Sequence, residues 1–428
     1  MTLPASPDSP RPALMPLDDA LTQLLGFAVP LTEMESVSTF DADGRVLAQD
    51  LVSALQVPPH DNSSMDGYAV RCADVAQALH ASGPAAGALT VSQRIAAGAA
   101  GLPLAPMSAA RIFTGAPIPL GADAVVMQED CEVLPGAGGP GSSAVRIKSV
   151  PAPGQWIRRA GEDVTQGAVV LLKGELLTPA SLGLAASIGI NVVPVRRRPR
   201  VALFSTGDEL VMPGDVAPQQ MKPGAIYNSN RFFLRALLLR LGCEVTDLGI
   251  VPDRLDATVA ALQSAALNHD LILSSGGVSV GEEDHIKPAV QSLGQLDLWQ
   301  IAIKPGKPFA YGRVQNAHFI GLPGNPVSSF VTFLLLVRPF LRQLLGSTQV
   351  ASKSIAVQAH FTWARADKRR EFLRVRRNAH GGLDLFANQS SGVLTSAVWG
   401  DGLVDNPPGQ TIAFGDEVRF IPFSELLG

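Results

Sequence analysis

Cysteine and charged residues are scarce in this 428-residue sequence, and both shortages exclude classes of protein. The three cysteines, Cys72, Cys131 and Cys243, lie far apart and form no C-x-x-C pair. A disulfide framework and a cysteine-bound zinc or iron–sulfur centre are therefore disfavoured. The seven histidines show no metal-ligand spacing either.

Charged residues make up 17% of the chain, which is below the usual share of roughly a quarter. This composition argues against a disordered protein or one that coats nucleic acid. With 34 basic and 38 acidic residues, the formal net charge of −4 offers no whole-chain attraction to nucleic acid or to an anionic membrane. We therefore expect neither as a partner, and any bound anion must be held by a local arrangement.

Long apolar runs are also missing. The first sixteen residues are rich in Pro and Ser and contain no apolar segment of the kind found in signal peptides. The longest apolar run, around 330–340, contains Arg338 and Pro339 and is too short to span a bilayer. It predicts a buried helix, and the expected location is the cytoplasm.

The length of the chain predicts two to four domains. The pattern divides it into a discontinuous connector domain (16–50 and 145–198), a β-rich domain (51–144), an α/β domain (199–346) and a small C-terminal β domain (347–428) resembling a barrel. The run Arg196-Arg197-Arg198 before Pro199 marks the start of the α/β domain and is typical of a solvated linker.

Apolar strands alternate with helices in the α/β domain. Strands are predicted at 201–205, 244–251 and 270–275, with further candidates at 299–303 and 318–322. Helices are predicted after Asn228-Ser229-Asn230, at 255–267, at about 285–293 and from Pro326 to Leu345. Short apolar strands between longer helices indicate a multi-domain α/β protein whose main sheet is parallel and covered on both faces.

Polar and glycine-rich segments follow five of these predicted strands, at 206–209, 252–253, 276–284, 304–308 and 323–326. Ligands of open parallel sheets bind beyond the carboxyl ends of the strands, so these segments predict a functional site. Glycines allow backbone N–H groups to approach a phosphate, and lysines supply positive charge. The binding candidates are Ser205, Gly207, Asp208, Ser275, Gly276, Gly277, Ser279, Gly281, Lys304, Lys307, Pro323, Asn325 and Pro326.

Carboxylates beside a phosphate would repel it unless a hard cation bridges the two, and Mg²⁺ fits that role. Asp208, Glu209, Asp253 and Asp284 are the candidates. Simpler interpretations stay open for single residues. Asp253 suits a helix N-cap before residue 255, Asp208 and Glu209 suit a solvated turn, and the glycine segment suits an ordinary strand-to-helix turn.

Together, several segments resemble the molybdopterin molybdenumtransferase family, which includes bacterial MoeA and the E domain of gephyrin. They are DNSSMDGYAV (61–70), RIFTGAPIPLGADAVVMQED (111–130), RRAGEDV (158–164), VALFSTGDEL (201–210), LGIVPD (248–253), SSGGVSVGEEDH (274–285), IKPGKPFAYG (303–312) and GLPGNPVSSF (321–330). Order and spacing hold from about residue 17 to the end. One departure is Gln300, which stands after Trp299 where the family usually has lysine.

The resemblance implies that the α/β domain binds molybdopterin and that the enzyme inserts molybdenum from molybdate into adenylylated molybdopterin, releasing AMP with the help of Mg²⁺. It also implies a homodimer that works with molybdopterin adenylyltransferase and other assembly proteins. A non-catalytic molybdopterin-binding scaffold is the alternative. Catalytic positions carry over to Asp66, Glu209, Asp253, Asp284 and Lys304, and the metal positions to Glu209, Asp253 and Asp284. Ligand-binding positions carry over to Thr114, Asp163, Lys307, Pro323 and Pro326, and in the C-terminal domain to Arg370 and Ser391.

Overall fold

The computed structural model describes residues 14–83, 86–135, 143–278 and 285–427. These residues form two compact units. The first comprises the described parts of Met1–Gln49, Lys173–Thr178 and Val193–Gly428, and the second comprises those of Asp50–Leu172 and Pro179–Val192. Each unit has its own sheets and its own apolar core.

The α-helices, in chain order, are α1 (Leu17–Phe27), α2 (Cys72–His80), α3 (Pro179–Ser187), α4 (Ser229–Arg240), α5 (Leu255–Ala266), α6 (Ile286–Leu293), α7 (Pro326–Thr332), α8 (Arg338–Leu344), α9 (Thr395–Trp399) and α10 (Phe423–Leu427). The strands are β1 (Met34–Ser38), β2 (Leu51–Val52), β3 (Asn62–Ser63), β4 (Gly67–Val70), β5 (Ala88–Ile95), β6 (Ser108–Ile112), β7 (Ala124–Met127), β8 (Cys131–Pro135), β9 (Ser143–Ile147), β10 (Ile157–Arg158), β11 (Val169–Leu171), β12 (Val192–Arg196), β13 (Arg200–Thr206), β14 (Leu210–Val211), β15 (Ile226–Tyr227), β16 (Glu244–Val251), β17 (Leu271–Ser275), β18 (Gly294–Gln300), β19 (Ile303–Lys304), β20 (Pro308–Val314), β21 (Ala317–Leu322), β22 (Ile355–Gln358), β23 (Arg370–Arg377), β24 (Leu383–Leu385), β25 (Gly402–Asn406) and β26 (Glu417–Pro422).

The second unit is built on a mixed sheet with the strand order β7-β4-β6-β5-β9-β8. Helix α2 packs on one face of this sheet over a core that includes Tyr68, Val75 and Val126. The segment 61–66, which contains the short strand β3, precedes the buried strand β4.

The α/β part of the first unit is a six-stranded sheet with the order β16-β13-β17-β21-β20-β18. Strands β16, β13, β17 and β21 are parallel, as predicted. Strand β20 runs antiparallel to both of its neighbours, β21 and β18. This corrects the expectation of a fully parallel sheet. The reason is local: only Gln315 and Asn316 separate β20 from β21, and so short a connection can join antiparallel strands only. Gln315 has the positive φ, 52°, that such turns require.

The predicted strand at 299–303 is also wrong in detail. It divides into the end of β18 and the short strand β19, which pairs with β23 of the C-terminal sheet. The segment 304–308 therefore begins in β19 and leads into β20, so it does not directly follow a strand of the six-stranded α/β sheet. That C-terminal sheet has the order β19-β23-β25-β26-β22, with β24 paired to β23, in agreement with a small C-terminal β domain.

Helix positions agree well with the sequence pattern. The side chain of Asn228 caps α4 by accepting a hydrogen bond from the backbone N–H of Arg231, and Gly242, with φ 77°, follows the end of the helix. Helices α7 and α8 join through a π-helical stretch at Phe333–Val337. The combined helix Pro326–Leu344 is the one helix in the described ranges that is long and apolar enough to cross a membrane. Because 83% of its apolar window is buried inside the protein, it resembles a core helix.

Candidate functional site

A cavity of about 650 Å³ lies beyond the carboxyl ends of strands β13, β17 and β21, entirely within the first unit. This is the edge at which open parallel sheets bind ligands. Its lining includes the segment after β13, the N-terminus of α4 and the two turns after β17 and β21, together with Asp253, Pro308 and Gly392. Predicted site residues among them are Gly207, Glu209, Asp253, Ser275, Gly276, Gly277, Pro323, Asn325 and Pro326.

The turn after β17 depends on two glycines. Gly276 and Gly277 have φ values of 92° and 65°, in the region that only glycine enters without strain. A Cβ atom on Gly276 would lie 2.5 Å from the carbonyl oxygen of Thr206, and one on Gly277 would lie 2.7 Å from the Thr206 hydroxyl oxygen. Glycine is therefore needed here both for the backbone conformation and for the close approach to β13.

Two carboxylates line the same cavity. The Glu209 carboxylate folds back over Gly207, whose added Cβ would lie 2.5 Å from Glu209 Oε2. Asp253 stands after β16, and its backbone N–H donates to Asp208 Oδ1 at 3.3 Å. Arg254 is the N-cap residue of α5 and makes no side-chain cap, so the N-cap interpretation of Asp253 is wrong.

Carboxylate oxygens are the ligands that Mg²⁺ prefers, usually one or two of them together with substrate phosphates. Glu209 and Asp253 fit that requirement, because both reach one cavity without forming a closed protein cage. Within the described ranges no group of three or more His, Cys, Asp or Glu side chains has metal-binding geometry. Of the other two candidates, Asp208 is absent from the cavity lining, and Asp284 lies outside the described residues, as do Ser279 and Gly281.

Asn230 is a functional candidate that the sequence pattern does not single out. It is buried at 7% exposure, and its side-chain amide donates to Ser275 Oγ at 2.9 Å and to the carbonyl oxygen of Gly324 at 2.7 Å. One side chain thus joins the α4 N-terminus to both turns that form the cavity wall. In the sequence, Asn230 belongs to the segment Asn228-Ser229-Asn230, which by itself indicates only a helix cap.

Several buried polar atoms at this sheet edge have no hydrogen-bond partner among the residues that the structure describes. They include Ser205 Oγ, Thr206 Oγ1 and Asn228 Nδ2. Such atoms are usually paired when buried, and Thr206 and Asn228 line the cavity. They are available to a bound ligand, and Ser205 lies one residue behind the wall.

The C-terminal domain contributes to the rim. The carbonyl oxygen of Ser391 accepts a hydrogen bond from the backbone N–H of Val327, at the start of α7, and the next residue, Gly392, lines the cavity. The predicted Ser391 is therefore brought next to the site.

The predicted basic residues Lys304, Lys307 and Arg370 do not line the cavity. Lys304 Nζ lies 2.8 Å from Glu371 Oε1 and 3.2 Å from Asp367 Oδ2. Partial burial opposes protonation, but these acidic partners raise the pKa of Lys304. Lys304 is therefore an ion-paired cation, and it is absent from the cavity lining, although Pro308 of the same segment is present.

Arg370 is also engaged by acids. It donates to both oxygens of Asp405, at 2.6 and 2.7 Å, and to Asp18 at 2.7 Å. Hydrogen bonds to Asp405 raise the pKa of Arg370 above its ordinary value. Lys307 forms no ion pair within the part of the chain that the structure describes, and it too is absent from the cavity lining.

The second unit holds the other predicted residues. Asp66 Oδ1 accepts hydrogen bonds from the backbone N–H and from the hydroxyl of Thr114, both at 2.8 Å. These bonds from Thr114 hold the pKa of Asp66 below its ordinary value. Asp163 lines a different pocket of about 370 Å³, with Val57, Asn62 and Arg158 among its neighbours.

Three family models match this chain. Residues 15–189 match the MoeA N-terminal region (domain I and II), residues 202–343 match a probable molybdopterin binding domain, and residues 356–423 match the MoeA C-terminal region (domain IV). Together they span nearly the whole sequence in the expected order.

Curated relatives and solved structures are similar to this chain over most of its length. A molybdopterin molybdenumtransferase of Haemophilus influenzae is 44% identical over 337 residues, covering 78% of this chain and 79% of that protein. The one from Bacillus subtilis is 35% identical, covering 77% and 75%. Two structures of the molybdopterin biosynthesis MoeA protein of Pyrococcus horikoshii cover 96% of this chain and 99–100% of theirs, with identities of 32% and 28% and TM-scores of 0.76 and 0.81. The chain therefore belongs to the molybdopterin molybdenumtransferase family and is an enzyme of molybdenum cofactor biosynthesis.

Proposed function

We propose that the cavity beyond β13, β17 and β21 binds adenylylated molybdopterin, and that the enzyme inserts molybdenum from molybdate into its dithiolene while AMP is released. One observation carries the proposal: glycine turns, a helix N-terminus and two carboxylates converge on a single cavity at the carboxyl edge of the sheet. Such an edge suits a phosphate-bearing ligand. The scaffold alternative is not favoured, because the curated relatives are named as transferases.

The residues of the wall take distinct parts in this proposal. A phosphate can approach the backbone of the glycine turn after β17 closely, since no Cβ stands in the way, while the Gly276 N–H itself donates to the Leu322 carbonyl oxygen. Thr206 and Asn228 offer unpaired polar atoms to the ligand. Asn230 keeps the two turns at a fixed spacing through its paired hydrogen bonds.

Glu209 and Asp253, with Asp284, are the proposed holders of Mg²⁺. When bound, Mg²⁺ would neutralise the negative charge of the diphosphate. The carboxylates of Glu209 and Asp253 then serve to orient the ligand, because both line the cavity and can accept hydrogen bonds or share the cation. Asp208 supports this group by fixing the backbone N–H of Asp253.

The lysines divide between two roles in the proposal. Lys304 uses two of its three N–H donors on Glu371 and Asp367, which leaves one for an anion. Lys307 has no competing acid among the described residues and is the stronger candidate ligand for an oxyanion. Arg370 and Ser391 support the C-terminal rim, the first through its ion pairs and the second through its bond to Val327.

We also propose a cytoplasmic homodimer in which Asp66, Thr114 and Asp163 complete a site of the partner subunit. The supporting observation is that Asp66 is exposed and held in one orientation by Thr114, as a residue that contacts a ligand should be. Molybdopterin adenylyltransferase, which would supply the adenylylated substrate, is the proposed functional partner.

The test is AMP release by purified enzyme supplied with adenylylated molybdopterin, molybdate and Mg²⁺. Glu209→Gln and Asp253→Asn keep the shape of each side chain and remove its charge. We expect turnover to fall by roughly 10²-fold, a common scale for positioned catalytic groups. Substrate binding without AMP release by the parent enzyme would instead indicate the scaffold.

A further inference from the structure

Two arginines stand side by side on the sheet of the second unit. Arg94 on β5 is paired in register with Arg111 on β6, and Tyr68 on β4 is paired with Arg111 from the other side. Paired positions of neighbouring strands project to the same face of a sheet. The two positive charges are therefore neighbours, an arrangement that is unfavourable unless something compensates it.

Aromatic rings meet both guanidinium groups. Arg94 Cζ lies 4.4 Å from the centroid of the Phe113 ring, and Arg111 Cζ lies 4.6 Å from the same centroid and 5.2 Å from that of Tyr68. Phe113 immediately precedes Thr114, so this cluster adjoins the Asp66–Thr114 pair. Stacking on an aromatic ring orients a guanidinium group. Its N–H groups, which lie in the guanidinium plane, stay free to donate hydrogen bonds.

No acid forms a direct ion pair with either arginine among the residues that the structure describes. Arg111 donates to the Gly67 carbonyl oxygen at 2.9 Å and to Gln128 Oε1 at 2.6 Å, which are both neutral acceptors. The Arg94 side chain makes no hydrogen bond within the described ranges. By contrast, Arg146 on the neighbouring strand β9 is paired with Glu132 at 2.7 Å.

The nearby acids have other partners. Asp66 feels the charge of Arg111, but its Oδ1 is occupied by Thr114. Glu129 accepts a hydrogen bond from Gln128 at 3.2 Å. The positive charge of the arginine pair thus remains available to an external anion.

We infer that Arg94, Arg111 and Phe113 form a binding site for a tetrahedral oxyanion, either a phosphoryl group of the substrate or molybdate. The inference deepens the proposed function and rests on it for the identity of the anion. Guanidinium groups bind such oxyanions with two parallel hydrogen bonds, and Arg94, which is exposed, has all of its donors free for this.

The experiment uses the full-length protein with pyrophosphate and molybdate as separate probes. Phenylglyoxal modification followed by peptide mass spectrometry measures whether each anion protects Arg94 and Arg111. Calorimetry then compares the parent with Arg94→Gln, Arg111→Gln, Arg94→Lys and the matched control Arg146→Gln. We expect protection at Arg94, binding weakened roughly tenfold or more in each of the first two variants, a smaller loss in Arg94→Lys, and no loss in Arg146→Gln.

Protection by pyrophosphate alone would assign the site to a phosphoryl group, and protection by molybdate alone would assign it to the metal substrate. Absence of protection by both anions, or parent-like affinity in both glutamine variants, would overturn the inference. Thermal unfolding of each variant separates lost binding from a damaged fold. If the parent fails to release AMP while Arg94 is still protected, the proposed function fails and the oxyanion site stands.

Discussion

Replacing Gly276 with alanine tests whether the turn after β17 forms the substrate wall. Gly276 has a φ of 92°, and its added Cβ would lie 2.5 Å from the Thr206 carbonyl oxygen, a backbone atom that cannot rotate away. The turn must therefore move away from β13, and this movement pulls on the hydrogen bond from the Gly276 N–H to the Leu322 carbonyl oxygen, now 3.1 Å.

Gly214 provides a matched control in the same unit. It has a φ of 98°, but its added Cβ would meet nothing within 4 Å. Gly214→Ala therefore carries only the cost of the left-handed backbone, about 1–2 kcal/mol. Gly276→Ala carries that cost and a further ~1–3 kcal/mol for the steric conflict.

The assay compares kcat/KM for AMP release between the two variants, with hydrogen exchange of residues 271–278 as a local probe. We expect Gly214→Ala to retain parent activity and Gly276→Ala to lose roughly ten- to hundredfold, since each ~1.4 kcal/mol corresponds to a factor of ten. Equal activity in the two alanine variants would refute the assignment of this turn to the substrate wall.

Three further predictions concern the rest of the site. Asn230→Asp should leave α4 folded, because an acid suits a helix N-terminus. Its kcat/KM should fall about tenfold or more, because the side chain no longer donates to Ser275 and Gly324. Unchanged kinetics would show that these two hydrogen bonds do not position the site. Lys307→Met should weaken pyrophosphate binding and make that binding less dependent on salt. Gln300→Lys should strengthen pyrophosphate binding. Salt slopes in calorimetry that are identical to those of the parent would contradict both predictions. Mixing inactive Asp66→Ala and Asp284→Ala chains should restore roughly a quarter of the sites if subunits share them, and no recovery after confirmed subunit exchange would reject the shared site.

Much of the α/β domain follows from local pattern in the sequence. The continuous apolar runs in β13, β17 and β21 become fully buried parallel strands, because only strands covered on both faces tolerate such runs. The helix after Asn228 begins and ends where the cap and glycine signals predict. Since parallel strands share one carboxyl edge, the grouping of Gly207, Glu209 and Asp253 around one cavity was also predictable.

The failures concern contacts between residues far apart in the chain. The segment 304–308 resembles another strand end, yet β19 pairs with β23, 67 residues later, and Lys304 meets Glu371 there. Pattern within a short window contains no information about such pairing. The antiparallel direction of β20 has a local cause instead, since the two-residue turn Gln315-Asn316 contains neither glycine nor proline to mark it in the sequence.

By itself, the sequence determined the composition class, the main strands and helices, the glycine turns and the family to which the chain belongs. These features depend on periodicity, on backbone preferences of single residues and on motifs read in order. Only the tertiary structure decided that Asn230 bridges two turns and that Lys304 forms ion pairs with Asp367 and Glu371. It also decided that Arg94 stands beside Arg111 and that neither is ion-paired with an acid among the described residues. The physical reason is that hydrogen bonds and ion pairs act over a few ångströms in space, and chain folding sets those distances independently of separation in sequence.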